Sequence, residues 1–148
     1  MADKRILGKT YDFEWEVERG KIAECVAAVG DDSPVYRDVE AAAREGYSDI
    51  IAPPTFTTVP IMWSGLLFQA FEDLSIPLSR IMHAEQAYEF RGEIHPGDRL
   101  HGTMEIKSIT ERQGKSGPME FVLLETTITN QHRRTVVREQ MLVVERKQ

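Results

Sequence analysis

The second half of the chain alternates apolar and polar residues with a period of two, which is typical of β-strands with one buried face. Four such runs are predicted to be strands: 85–91, 100–110, 119–130 and 135–145. Turn-forming segments at 95–98, 113–118 and 131–133 separate them, with a hairpin tip predicted at 114–117. A fifth strand is predicted at 9–15, where aromatic and acidic residues alternate. The pattern therefore predicts an antiparallel sheet of about five strands.

Two helices are predicted between the first strand and the others. In the first, at 18–29, apolar side chains recur three or four positions apart and share one face: Ile22, Cys25, Val26 and Val29. Gly30 is expected to end it, because glycine readily adopts a positive φ. A shorter helix is predicted at 39–45, with Asp38 as its N-cap and Gly46 just beyond its end.

A long apolar helix is predicted to follow 53–55 and to reach about residue 72. Pro54 suits a first helical position, whereas Pro60 should either kink the helix or delay its start. Little of its surface is polar, so burial on most sides is expected; its large apolar residues are Ile61, Trp63, Leu66, Leu67 and Phe68. Strands, helices and one buried helix together indicate the α+β class.

Length and charge narrow the classes of function. A chain of 148 residues fits a single domain, 1–148, and its net charge of −6 argues against a nucleic-acid or anionic-membrane partner. Its one cysteine, Cys25, excludes an internal disulfide and is expected to be a buried structural thiol. Neither a signal peptide nor a membrane-spanning run is evident, so a cytoplasmic location is expected.

Three segments resemble the MaoC-like dehydratase and (R)-specific hydratase family. Residues 29–38, VGDDSPVYRD, are similar to the family motif Gly-Asp-any-Asn-Pro-aliphatic-His-any-Asp. Residues 50–56, IIAPPTF, resemble the segment that opens the central helix, and 94–100, IHPGDRL, resemble a turn ahead of a long strand. The likeness spans nearly the whole chain and is closest to the FAS1-like branch, which includes accessory subunits of (3R)-hydroxyacyl-ACP dehydratases.

This resemblance implies a hot-dog fold, an antiparallel sheet wrapped around a central apolar helix. It also implies reversible hydration of a 2-enoyl-CoA or 2-enoyl-ACP to the 3-hydroxyacyl thioester, with no cofactor or metal. In the family an Asp and a His hold the water and move protons, while a backbone N–H at the start of the central helix polarises the thioester carbonyl. By position, Asp31 matches the Asp, Ser33 the Asn and Tyr36 the His.

Tyr36 departs from the family pattern. A phenol has an ordinary pKa of about 10, against about 6.5 for imidazole, so it is a poor base near neutral pH. It could still orient a water, or it could simply pack at the pocket, with Asp31 as a turn residue. His83 is the best substitute base, although a hydrogen-bonded structural histidine is the alternative; His101 and His132 are expected to face solvent.

The resemblance also places substrate-binding residues around the start of the central helix: Ser33, Pro53, Pro54, Thr55, Phe56 and Trp63. The aromatic side chains could line an acyl tunnel or form ordinary core. Three functions remain open. The chain is a hydratase or dehydratase, either as an active homodimer or as the binding subunit beside a homologous hot-dog chain with a complete Asp/His pair; it is a non-catalytic acyl-thioester binder; or it is a thioesterase.

Overall fold

The alternating runs form one five-stranded antiparallel sheet in the computed structural model, which describes residues 2–114 and 117–146. The strands are β1 (Thr10–Glu16), β2 (Ile81–Phe90), β3 (Arg99–Gly114), β4 (Gly117–Thr129) and β5 (Thr135–Arg146). Their order across the sheet is β1-β3-β4-β5-β2, and every pair is antiparallel. All five predicted strands are confirmed. Part of the predicted hairpin tip, residues 115 and 116, lies outside the described residues.

The strands β2 to β5 are longer than the alternation indicated, and β2 is irregular. It begins four residues before the predicted start, and its pairing with β5 shifts between His83 and Glu85. A second shift interrupts the β3–β4 ladder between Ile106 and Ser108. Such irregularities break the period of two, which explains why the sequence pattern missed the first four residues of β2.

Both predicted early helices form. Helix α1 (Arg19–Val29) ends at Gly30, whose φ is 71°, and helix α2 (Val39–Arg44) begins where the side chain of Asp38 accepts hydrogen bonds from two backbone N–H groups. The apolar face of α1 is shorter than predicted, because Val29 is exposed. Cys25 is half-buried against the core, and burial raises the pKa of its thiol.

The central helix differs from the prediction in being divided, whereas its late start is one of the two alternatives expected from Pro60. The helix starts late, at Thr58, with Pro60 near its beginning where a missing N–H costs nothing. It is also divided into α3 (Thr58–Trp63) and α4 (Leu66–Asp73) at Gly65, whose φ of 74° a right-handed helix does not permit. The predicted burial on most sides is wrong as well, since Trp63 is 70% exposed.

The concave face of the sheet packs against these helices. Phe56, Ile61, Leu67 and Phe71 from the central segment are buried with inward-facing residues of β3, β4 and β5, including Ile106, Leu124 and Val143. The architecture is therefore the hot-dog fold, with its central helix in two pieces. Over 2–114 and 117–146, no helix is both long enough and apolar enough to cross a lipid bilayer.

Candidate functional site

A cleft of about 490 Å³ opens where the segment before α3 meets the end of β2. Pro53, Pro54 and Thr57 form one wall, and Phe90 at the end of β2 and Val137 on β5 form the other. The phenol rings of Tyr36 and Tyr47 close a third side. The cleft therefore combines apolar walls with hydroxyl groups and the charged side chains of Arg91 and Glu93, a mixture that a small-molecule site can have.

The loop after α1 presents Tyr36 to this cleft, whereas Asp31 does not line it. Asp31 Oδ1 accepts a hydrogen bond from the backbone N–H of Ser33 at 2.8 Å, which is an Asx turn. Arg37 donates to the backbone oxygen of Asp31, also at 2.8 Å. A 3-10 turn over Pro34–Tyr36 then carries the tyrosine ring inward. Neither Asp31 nor Ser33 lines the cleft, so the structure brings together only part of the predicted set.

The environment of Tyr36 keeps its hydroxyl protonated. Burial raises the pKa of Tyr36 above its ordinary value, and the nearby carboxylate of Asp31 and the phenol of Tyr47 raise it further. At neutral pH the side chain is therefore a hydrogen-bond donor and not a base. It can orient a water or a carbonyl oxygen in the cleft.

Two of the six predicted substrate-binding residues lie on the cleft, namely Pro53 and Pro54. Phe56 is fully buried in the core, and Thr55 is exposed beside it. Trp63 lies at the surface, with the ammonium group of Lys21 over its ring at 5.2 Å from the centroid. The predicted acyl tunnel of aromatic side chains is therefore not assembled around this cleft.

His83 lies far from the cleft. It is exposed on β2, and its Nε2 is 3.1 Å from Oε1 of Gln86. Seven residues separate it from Phe90, which is roughly 23 Å along an extended strand. His83 is hydrogen-bonded, as in the alternative to a catalytic role, but it lies within β2 and not in the loop before it. His101 and His132 are exposed, as predicted.

A buried carboxyl group that the sequence analysis missed lies behind the cleft. Glu139, on β5 two residues after Val137, accepts a 2.8 Å hydrogen bond from the hydroxyl of Thr57. Burial raises the pKa of Glu139 to about 7, against the lowering effect of that hydrogen bond. The signal was available, because Glu139 interrupts the inward-facing series of Val137, Met141 and Val143.

The side chains of the described residues can be compared with the clusters that bind metal ions. Within the described part of the chain, no group of three or more His, Cys, Asp or Glu residues is arranged to hold a metal ion. The polar side chains at the cleft are instead the hydroxyls of Tyr36, Tyr47 and Thr57 and the charged groups of Arg91 and Glu93.

Comparisons with known proteins bear on the family and the fold of the chain. The family model of the FAS1-like dehydratase domain region matches residues 7–139. A UPF0336 protein of Streptomyces avermitilis is 39% identical over 115 residues, 76% of each chain. One chain of the Mycobacterium tuberculosis HadBC (3R-hydroxyacyl-ACP dehydratase) complex superposes with a TM-score of 0.79 at 28% identity, covering 94% of this chain and 96% of that one.

A solved MaoC-like dehydratase gives a TM-score of 0.81 at 30% identity, over 95% of this chain and 42% of that longer one. The resemblance inferred from the motifs is thus confirmed, in both sequence and structure. The family model and the Streptomyces relative together cover most of the chain. The chain belongs to the FAS1-like dehydratase-domain family.

Proposed function

We propose that the chain takes part in the reversible hydration of a 2-enoyl thioester, of CoA or acyl carrier protein, to a 3-hydroxyacyl thioester. The observation that carries the proposal is the cleft lined by Tyr36 at the start of the central helix, in a chain of a dehydratase-domain family. The reaction adds the oxygen of water to C3 and a proton to C2, so it consumes and releases nothing but water. It requires proton transfer and no redox cofactor.

This chain supplies binding groups for that reaction better than it supplies a base. Tyr36 is held as a phenol by its surroundings, Asp31 is engaged in its own turn, and His83 lies at a distance. We therefore assign the chain the substrate-binding part, with the complete Asp/His pair on a homologous hot-dog partner. The structural relative from Mycobacterium tuberculosis is, by its name, a (3R)-hydroxyacyl-ACP dehydratase complex, HadBC, which supports a hot-dog partner.

The edge of the sheet at β2 is the surface that we propose for this partner. β2 is the last strand in the order, so its outer N–H and C=O groups have no neighbour in the described sheet. Met82 and Phe90 expose apolar surface along it, and Phe90 also lines the cleft. A second chain paired with β2 would cover these groups and enclose the cleft.

Hydration of crotonyl-CoA, followed as loss of ultraviolet absorbance, tests the proposal. We expect little turnover from the chain alone and turnover when a homologous chain with an intact Asp/His pair is added. Asp31→Asn in this chain should leave turnover of the mixture unchanged, because Asp31 does not line the cleft and the partner supplies the catalytic pair. Absence of turnover with a homologous partner that has an intact Asp/His pair would contradict the proposal.

A second candidate function is a non-catalytic acyl-thioester binder. The turn that occupies Asp31 favours it, since a catalytic carboxylate would have to face the cleft. In that case acyl-CoA would stabilise the protein against heat, and no mixture with a homologous chain would hydrate crotonyl-CoA.

A further inference from the structure

Glu139 lies at an inward-facing position on β5, the strand next to the β2 edge of the sheet. Its register partners are Tyr88 on β2 and Thr126 on β4, and it is only 3% exposed. From the helix side, Thr57 reaches it at 2.8 Å. Thr57 is itself only 1% exposed but lines the cleft, so this residue contacts both the open space and the buried carboxyl.

We propose that Thr57 and Glu139 form a proton-linked pair that binds the carbonyl oxygen of the ligand, with Thr57 in contact and Glu139 positioning it. This inference rests on the proposed function, because the ligand is taken to be an acyl thioester. It adds a specific polar contact and a pH dependence that the family motif does not contain.

The proposal follows from counting hydrogen-bond donors. A hydroxyl has one donor hydrogen and two acceptor lone pairs, and an ionised carboxylate only accepts. When Glu139 is ionised, Thr57 must donate to it and offers only lone pairs to the cleft. When Glu139 carries a proton, it can donate to Oγ1 of Thr57, which leaves the hydrogen of the threonine free to point into the cleft.

A thioester carbonyl is an acceptor only, so it selects the protonated form of Glu139. The raised pKa of Glu139, about 7, means that both forms are populated near neutral pH. Binding of the carbonyl should therefore take up a proton when the pH is at or above this value. Equivalently, the affinity for the thioester should fall as the pH rises through the pKa of Glu139.

The other titratable groups around the pair are not expected to produce this pH dependence of binding. From β2, Tyr88 faces Glu139, and burial raises the pKa of its phenol above the ordinary value, as it does for Tyr36 in the cleft. From β4, the facing residue is the uncharged Thr126. The cleft also carries Tyr47, Arg91 and Glu93, and no histidine of the described residues lines it.

Calorimetric binding of butyryl-CoA, a saturated thioester that cannot be hydrated, tests the inference at pH 6 and pH 8. If only the protonated form binds, the dissociation constant of the wild type should rise about tenfold between these pH values. Glu139→Gln is a neutral mimic of the protonated acid, so its affinity should be equal at both values and close to that of the wild type at pH 6. The phosphates of CoA titrate in the same way whichever protein is present. The difference between the wild type and Glu139→Gln therefore isolates the effect of Glu139.

Two threonine variants examine the contact itself. Thr57→Val keeps the shape and removes the hydroxyl, and it should weaken binding at pH 6 roughly three- to tenfold, the range for one hydrogen bond. Thr57→Ser keeps the hydroxyl and should restore both the affinity and its pH dependence. Glu125→Gln on β4, whose carboxylate bonds Gln140 on the outer face, is the matched control and should behave as the wild type.

The outcomes separate the two proposals. Tenfold pH dependence that survives in Glu139→Gln, or wild-type affinity in Thr57→Val, would overturn the inference while leaving acyl-thioester binding in place. Failure of the wild type to bind butyryl-CoA at either pH would overturn the proposed function, and the inference with it. Thermal melts of each variant confirm that the protein under test is folded.

Discussion

The ring of Phe13 lies against the α-carbon of Gly102, its register partner on the neighbouring strand. A β-carbon at position 102 would fall 2.1 Å from Cε1 of Phe13. Gly102→Ala should therefore lower the free energy of unfolding by about 1–3 kcal/mol, the usual cost of overpacking a core. Urea denaturation measures the change.

Two controls isolate the steric cause. Adding Phe13→Leu to Gly102→Ala should recover part of the loss, because the smaller side chain makes room. Gly20→Ala on α1 meets no atom within 4 Å and should stabilise the protein, by up to about 1 kcal/mol. Equal effects of the two alanine substitutions would show that the Phe13 contact is not the cause.

Glu139 makes the stability of the fold depend on pH. Its folded pKa of about 7 lies above the ordinary 4.5, so the unfolded chain ionises first as the pH rises. The stability associated with the neutral acid is fully present below pH 4.5 and is lost as the pH rises to 7, by roughly 3 kcal/mol in total. Glu139→Gln should therefore gain on the wild type by this amount between pH 4.5 and pH 8, measured by urea denaturation. Parallel pH profiles of the two proteins would contradict this explanation.

The carboxylate of Asp38 caps α2 immediately after the turn that carries Tyr36. It accepts hydrogen bonds from the N–H groups of Glu40 and Ala41, at 2.8 and 3.3 Å. Asp38→Ala should cost about 1 kcal/mol of unfolding free energy, whereas Asp38→Asn, which keeps an acceptor, should cost much less. A thermal melt of the three proteins is sufficient, and an equal loss in both variants would exclude capping as the cause.

Phe90 should matter for assembly more than for the stability of the single chain. Its ring is 53% exposed at the edge of the sheet and stacks on Tyr88, with 5.8 Å between centroids. Phe90→Ser should leave the melting temperature of the isolated chain within a few degrees but reduce association with a hot-dog partner, measured by light scattering. Leu7→Ser, a similarly exposed site near β1 at the opposite edge, is the control and should associate normally.

The sequence predicted the strands well because alternate residues face the core and the solvent, which leaves a direct trace in the pattern. It did not predict the division of the central helix. A glycine such as Gly65 can be tolerated within a helix, and only tertiary packing decides that it adopts a positive φ.

Only some of the predicted site residues line the cleft, because tertiary contacts also decide where side chains point. Motif spacing identified the loop from Asp31 to Tyr36, and the structure brings Tyr36 to the cleft. Spacing could not reveal that Asp31 bonds to Ser33 in its own turn, or that His83 lies at the wrong end of β2. To predict the role of Glu139, one has to know which face of β5 is inward and that Thr57 contacts the carboxyl group.

The strand order also determines how the chain assembles. Strands β3, β4 and β5 are consecutive in sequence and adjacent in space, so their hairpins close short loops, whereas pairing of β2 with β5 must close a long one. We expect the three-stranded meander to form first and to protect its amides from hydrogen exchange longest. The edge strands β1 and β2, each paired across a long stretch of chain, would then be the last to join the sheet and the first to open, and opening of β2 would disrupt the cleft at Phe90 before the core.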